Sequence, residues 1–305
     1  MKPAYSTAHG AAYCGDSSEL LHSGIGRRIR GKASLILTSP PYPLNRQKAY
    51  GNKQGQSYLD WLATFGPIFH ELLAEDGSLV VELGNTWNRG QPTMSTLPLR
   101  ALMRLQESAD FYLCQQFIWH NPARLPSPAQ WVTVERIRLK DSHTHVWWMS
   151  PSPTPKANNR NVLTEYSAAM KSLLKSGRYN SGARPSEHVI SDRGFVSNNQ
   201  GAIPGSVLSY ANTGANSGYH KYCKSIGVKP HPARMPPSLA EFFINFLTEP
   251  GDLVVDPFAG SNTTGATAEQ LGRRWVSIEK REDYVAGSKG RFAQLIEGER
   301  TPTSV

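Results

Sequence analysis

The pattern of hydrophobic and polar positions divides the chain into three stretches. Across residues 13–149, short apolar runs alternate with amphipathic ones. Residues 34–38 form an apolar run that stops at Pro40-Pro41, the signature of a buried strand cut off by a turn. Residues 57–74 carry Tyr58, Trp61, Leu62, Phe65, Ile68, Phe69 and Leu72 at helical spacing and predict one helix. Asp76-Gly77 predicts a turn. A second buried strand is expected over 78–83, a helix over 97–106, and strands over 111–119 and 146–149.

The texture changes over residues 150–229. Ser, Asn, Gly and Pro dominate, apolar periodicity fades, and the stretch reads as a loop-rich insertion. Regularity returns at Pro236, with a helix predicted over 239–247, a strand over 253–256, a helix over 263–271 and a strand over 274–279. Alternating strands and helices imply an α/β fold, a mostly parallel sheet with helices on both faces. Residues 1–149 and 230–305 would form one domain, interrupted by the region 150–229.

Charge sharpens this division. The formal net charge is +9, and between Ser150 and Arg234 eleven Lys and Arg face only three Asp and Glu. A cationic surplus gathered in one segment points to a polyanion partner. Hydrophobic residues make up 39% of the chain, enough for a sizeable core. No stretch approaches the ~20 apolar residues of a membrane helix, and the first residues carry no apolar leader segment. The expectation is a soluble cytoplasmic protein. Cys14, Cys114 and Cys223 follow Tyr13, Leu113 and Tyr222, so the Pro-Cys nucleophile of cytosine-C5 methylation is missing. The H-x-E and P-C-x-x-C pair of a zinc base deaminase is also missing. His143 and His145 lack a third ligand in the pattern, and no metal is assigned.

Two turns carry candidate chemistry. In the first, Asp256-Pro257-Phe258-Ala259-Gly260-Ser261-Asn262-Thr263, a strand ends, small residues allow close backbone approach, and a helix N-terminus opens toward an anion. Glu279 ends the next strand about 20 residues on, where an acid that binds a ribose is expected. The spacing departs from G-x-G-x-x-G, because Asn262 stands where a glycine is needed. The second turn, Thr38-Ser39-Pro40-Pro41-Tyr42, suits an exocyclic amino group whose lone pair is delocalised into a base ring. The Ser39 hydroxyl and the Pro40 carbonyl can each accept one N–H, Pro41 stiffens that carbonyl, and Tyr42 can stack on a base drawn out of a duplex.

With both turns in one α/β sheet, the chain resembles the β-group DNA amino-methyltransferases, in which the catalytic motif precedes the cofactor motif. The similarity runs through KPAYSTAHGAAYCGDSSELL, TSPPYPLNRQKAYGN, FIWHNPARLPSPAQWV, IRLKDSHTHVWW, HPARMPPSLAEFFINFLTEPGDLVVDPFAGSNTTG and EKREDYV. The resemblance implies a circularly permuted Rossmann-like sheet with one antiparallel strand, and S-adenosylmethionine (AdoMet) as cofactor. It places Asp16 near the adenine and Glu279 on the ribose. Thr38, Asp256, Phe258, Gly260, Ser261, Asn262 and Thr263 complete the cofactor site. Ser39, Pro40, Pro41 and Tyr42 make the base pocket, and His231 to Pro236 packs beside the cofactor. Ser-Pro-Pro-Tyr is the form typical of members acting on cytosine N4, so the implied enzyme is a site-specific cytosine-N4 methyltransferase of a restriction-modification system. Its partners would be double-stranded DNA and a cognate endonuclease. Residues 150–229 match the family's target-recognition region. Lys156, Arg184, Lys221 and Lys224 there are candidate DNA contacts, together with Arg46 and Lys48 of the segment after the catalytic turn, which is expected to close over DNA. Asn198, Asn199, Gln200, Asn212 and Asn216 are candidate readers of base edges. An adenine-N6 enzyme of the same fold, or a DNA-binding relative without catalysis, remains the alternative.

Overall fold

The computed structural model describes residues 2–42, 53–178, 182–190, 197–214 and 217–292. The chain forms two compact units, Met1–Ala157 together with Ser206–Val305, and Asn158–Gly205. The larger unit opens with β1 (Tyr5–Ser6), β2 (Gly10–Cys14), α1 (Ser17–His22), α2 (Gly24–Ile29) and β3 (Ala33–Thr38). Next come α3 (Gly55–Ala63), α4 (Phe65–Leu72), β4 (Leu73–Gly84), α5 (Leu97–Glu107), β5 (Tyr112–His120) and β6 (His143–Ser150). The smaller unit holds α6 (Ala168–Ser176) and the two-residue strands β7 (Gly182–Ala183) and β8 (Val189–Ile190). The chain returns to the larger unit with β9 (Val207–Ser209), α7 (Gly218–Ser225), α8 (Pro237–Leu247), β10 (Leu253–Asp256), α9 (Thr263–Gln270), β11 (Arg274–Glu279) and α10 (Glu282–Ser288).

The sheet runs β1-β2-β11-β10-β3-β4-β6-β5-β9. β2, β11, β10, β3 and β4 pair in parallel, as do β5 and β9. Strand β6 is antiparallel to both its neighbours, and the short edge strand β1 is antiparallel to β2. Strands β3 and β10 are buried on both faces. A strand covered on both sides is apolar along most of its length, which is why these runs do not alternate. The core on one face joins residues of α1 to α5 with Ile36, Leu79, Val81, Leu83, Trp147 and Val255. Across the sheet, Phe243 and Phe246 of α8 meet Phe117 and Trp148, with ring centroids 5.1 Å apart in both pairs.

Three local expectations differ from the fold. The single helix over 57–74 is two, α3 and α4. Pro67 has no N–H to donate to the carbonyl of Ala63, so the ladder breaks there although the apolar spacing continues. Asp76-Gly77 lies inside β4, where the register with β3 slips between Ala33 and Leu35, so the dipeptide makes an irregularity in a strand and not a reversal. The region expected over 150–229 is also wider than the compact unit Asn158–Gly205. Residues 206–214 and 217–229 pack in the larger unit, through β9 on β5 and through Tyr219 and Cys223 of α7, which are buried.

From β3 the chain moves to β4 on one side, and from β10 it moves to β11 on the other. The connections after these two adjacent strands therefore diverge, leaving a crevice at their carboxyl ends.

Candidate functional site

That crevice opens into a cavity of about 660 Å³, within the ~300–1,000 Å³ typical of ligand sites. One half is lined by Asp16, Asp256, Phe258, Gly260, Ser261, Thr263 and Glu279. The other half is lined by Ser39, Pro40, Pro41, Tyr42 and Glu82. Both candidate turns thus face one space.

In the first half, Thr38 Oγ1 donates to Asp256 Oδ1 at 2.8 Å, and the Phe258 amide donates to the same oxygen at 3.1 Å. Thr38 is fully buried, so it positions Asp256 from behind the wall. Burial pushes the Asp256 carboxyl up to about 6, against the pull of its hydrogen bonds. Glu279 accepts from the Gly260 amide and from the Arg281 amide, each at 2.9 Å, and burial raises its carboxyl above the usual range. Gly260 has φ +51°, and a Cβ there would lie 3.1 Å from the His231 ring. Both facts favour glycine at this point of the turn. Phe258 is braced by Trp61 and Phe65, at ring separations of 5.6 and 5.0 Å.

Asn262 departs from the sequence expectation. Its Oδ1 caps α9 by accepting from the Gly265 amide at 3.1 Å and also accepts from the Ser277 hydroxyl, while Nδ2 donates to Tyr5 OH. It is buried with φ +54° and takes no part in lining the cavity, so it shapes the turn. Asp16 is the N-cap of α1, accepting from the Ser18 amide at 3.0 Å, and forms an ion pair with Lys280 at 3.1 Å on the cavity wall. His231 to Met235 also line the cavity.

The second half contains a residue the sequence reading missed. Glu82, on β4, is only 2% exposed. Its Oε2 accepts from the Ser39 hydroxyl at 2.5 Å and its Oε1 accepts from Tyr42 OH. Burial raises the Glu82 carboxyl above its ordinary value, while Ser39, Tyr42 and Arg124 pull it back. Burial also raises the Tyr42 phenol, and the Glu82 charge adds to the effect. A Cβ on Gly84 would lie 2.5 Å from the Tyr42 ring, so the glycine makes room for it. A signal for Glu82 existed, since it is the one charge within the apolar run 78–83. Trp119, Asn121, Arg124 and Thr144, which were not singled out, extend this half at the ends of β5 and β6, and Asn212, a candidate reader of base edges, joins them after β9.

The candidate DNA contacts scatter. Lys156 sits at the amino end of β10, on the sheet edge opposite the cavity, paired with Asp252 at 2.6 Å. Its charge is paired locally, and it does not line the cavity. Arg184 lies in the smaller unit at the β7–β8 turn, and Lys221 and Lys224 are exposed on α7. Arg46, Lys48 and the rest of 44–52, like Asn216, lie outside the described residues. His145 stacks on Trp147 at 5.3 Å. Among the described residues no group of three His, Cys, Asp or Glu is placed to hold a metal, and no helix is long and apolar enough to cross a membrane.

Comparison with known proteins agrees with this geometry. A family model described as DNA methylase matches residues 33–290. The chain is 44% identical over 293 residues to the type II methyltransferase M.PvuII of Proteus hauseri, covering 95% of this chain and 86% of that one. It superposes on the solved structure of the PvuII DNA methyltransferase (cytosine-N4-specific) with a TM-score of 0.76 and 38% identity, covering 97% of this chain and 93% of that one. A putative DNA modification methylase from Thermus thermophilus, complexed with S-adenosyl-L-methionine, shares the fold at a TM-score of 0.57 and 20% identity over 95% and 97% of the two chains. Matched by the family model over residues 33–290 and by a relative 44% identical over 95% of its length, and carrying a Ser-Glu-Tyr cluster and an acid-flanked glycine turn that face one cavity, this chain belongs to the DNA methylase family of amino-group methyltransferases.

Proposed function

We propose that this chain transfers a methyl group from AdoMet to N4 of a cytosine drawn out of double-stranded DNA. The observation that carries the reading is the Ser39–Glu82–Tyr42 cluster, which shares one cavity with the Asp256–Glu279 turn. The residues present suit AdoMet. The glycine turn offers backbone at a helix N-terminus for a carboxylate, and Glu279 keeps lone pairs for ribose hydroxyls beside those taken by two amides. Phe258 supplies an apolar wall. AdoMet bound there would supply an electrophilic methyl group.

The chain's own residues prepare the acceptor. A hydroxyl has one proton and two lone pairs. Ser39 has committed its proton to Glu82, which leaves its lone pairs to accept an N–H from the base. The Pro40 carbonyl takes the other N–H, so the amino nitrogen turns its own lone pair outward. As nitrogen gains a carbon it must lose a proton. Ser39 Oγ accepts that proton while passing its own to Glu82 Oε2, whose raised proton affinity suits the task. Tyr42 holds the other carboxylate oxygen and borders the space for the base. Ser at position 39 is the feature that favours cytosine over adenine.

DNA is the polymer this reading requires, and the basic region 150–229 remains the proposed target-recognition region, with Arg184, Lys221 and Lys224 as phosphate contacts. A role in restriction-modification, beside an endonuclease of the same specificity in the cytoplasm, follows from the same reading.

Mass spectrometry of nucleosides from plasmid DNA treated with the protein and AdoMet is expected to show N4-methylcytosine. N6-methyladenine would overturn the choice of base, and unmodified DNA would overturn the activity. Glu279→Ala is expected to weaken AdoMet binding by about tenfold in calorimetry, the loss of a hydrogen-bonding carboxylate of ~1.4 kcal/mol. Unchanged affinity would remove Glu279 from the cofactor site.

A further inference from the structure

Taking a cytosine out of a duplex leaves a hole in the base stack, and unpairing and unstacking are unfavourable. Proteins that open base steps commonly insert an apolar side chain between them. The segment 121–142, which joins β5 to β6, has the properties of such a device. Its root belongs to the cavity, since Asn121 and Arg124 line it. Arg124 is fixed there by donating to the His143 carbonyl at 3.2 Å and to Thr144 Oγ1 at 3.3 Å.

Beyond this root the segment exposes four large aliphatic side chains: Leu125 at 79%, Val134 at 66%, Ile137 at 61% and Leu139 at 89%. Exposed aliphatics gathered in one segment point to a binding face. Leu125 follows the cavity-lining Arg124 directly. The stretch carrying Leu139 runs beside it, because Lys140 Nζ reaches the Arg124 carbonyl at 3.4 Å and the Asp141 amide donates to the Ser127 carbonyl at 3.0 Å. Leu125 is thus next in the chain to a cavity-lining residue, and the stretch carrying Leu139 is tied to the same root.

The segment is also held firmly. Arg138 stacks over Trp87 at 3.3 Å, and the buried Asp141 accepts from Asn85 at 2.7 Å. Its cations, Arg124, Arg136, Arg138 and Lys140, outnumber Glu135 and Asp141. Asp141 is turned inward to Asn85, so the exposed charge is largely positive. Apolar tips among cations suit a duplex, in which stacked bases lie between rows of phosphates. A membrane or protein partner gives no reason for a segment with such tips to be rooted in the wall of a base pocket.

We propose that segment 121–142 is the wedge that stabilises the opened duplex, with Leu125 and Leu139 entering the stack beside the extruded cytosine. This inference rests on the reading of the protein as a DNA cytosine methyltransferase. Its test compares two duplexes carrying a site that the wild-type protein methylates. In one the target cytosine is paired with guanine. In the other it faces an abasic site, so that unpairing is already done. The double variant Leu125→Ala/Leu139→Ala is expected to lose roughly tenfold or more of its rate on the paired duplex and to stay within about twofold of wild type on the abasic one. The companion Leu125→Met/Leu139→Met, which keeps the apolar bulk, is expected to restore the paired-duplex rate. Equal rates for wild type and the Ala variant on the paired duplex would overturn the wedge, as would equal losses on both duplexes. Failure of the wild type to methylate cytosine in the plasmid DNA from which that site is identified would instead overturn the activity, so the two failures are distinct.

Discussion

Ser39→Ala is expected to lower the methyl-transfer rate by on the order of 10²-fold or more, with AdoMet affinity unchanged. The change removes one oxygen and with it two functions. The base loses an acceptor for an amino N–H, and the proton loses its bridge to Glu82 Oε2, now 2.5 Å from the serine hydroxyl. AdoMet binding should persist because the Asp256–Glu279 wall lies on different strands and shares no hydrogen bond with Ser39. Glu82 would keep Tyr42 as a donor, so the cluster loses one bond and does not collapse. The measurement is a single-turnover rate with a saturating site-containing duplex, alongside calorimetry with AdoMet alone. A wild-type rate in Ser39→Ala would exclude the hydroxyl from the chemistry. A parallel loss of AdoMet affinity would show a structural role in place of a catalytic one.

The strands that build the site were legible for a physical reason. β3 and β10 are covered on both faces, so their runs are mostly apolar without alternation and end abruptly at turn residues. The two turns could be read because small residues, prolines and an acid at set spacing are what backbone approach and hydrogen bonding require. Other features were hidden by tertiary context. The break between α3 and α4 falls within an unbroken apolar spacing, and only the missing N–H of Pro67 marks it. Helix α7 buries little beyond Tyr219 and Cys223, so its sequence reads as polar loop. Summed charge could not show that Lys156 pairs with Asp252 at the amino end of β10. Glu82 was overlooked because its neighbours in β4 identify a strand without it. Its burial was the clue, since a carboxylate is seldom placed in such a wall without a task.

Glu82→Gln is expected to lower the rate by on the order of 10²-fold or more and to leave the protein no less stable at neutral pH. Gln matches Glu in size and can still hydrogen-bond Ser39 and Tyr42, but it cannot take a proton. The pH dependence separates these effects. Burial raises the Glu82 carboxyl, so the fold favours the protonated form. That preference contributes stability fully present below the ordinary carboxylate value and lost as pH rises through the raised folded value. Gln stays neutral throughout. Its melting temperature relative to wild type should therefore climb between acid and neutral pH, read by thermal melts across that window. The rate should show the opposite sign: wild-type activity rises with pH as Glu82 becomes the carboxylate able to accept the proton, and Glu82→Gln lacks this rise. A variant with wild-type rates would remove Glu82 from the proton path. A stability difference that shrinks with rising pH would mean that the fold favours the carboxylate, contrary to its burial. Activity that needs the charged form in a fold that favours the neutral one is a local conflict between stability and function, of the kind expected at a working site.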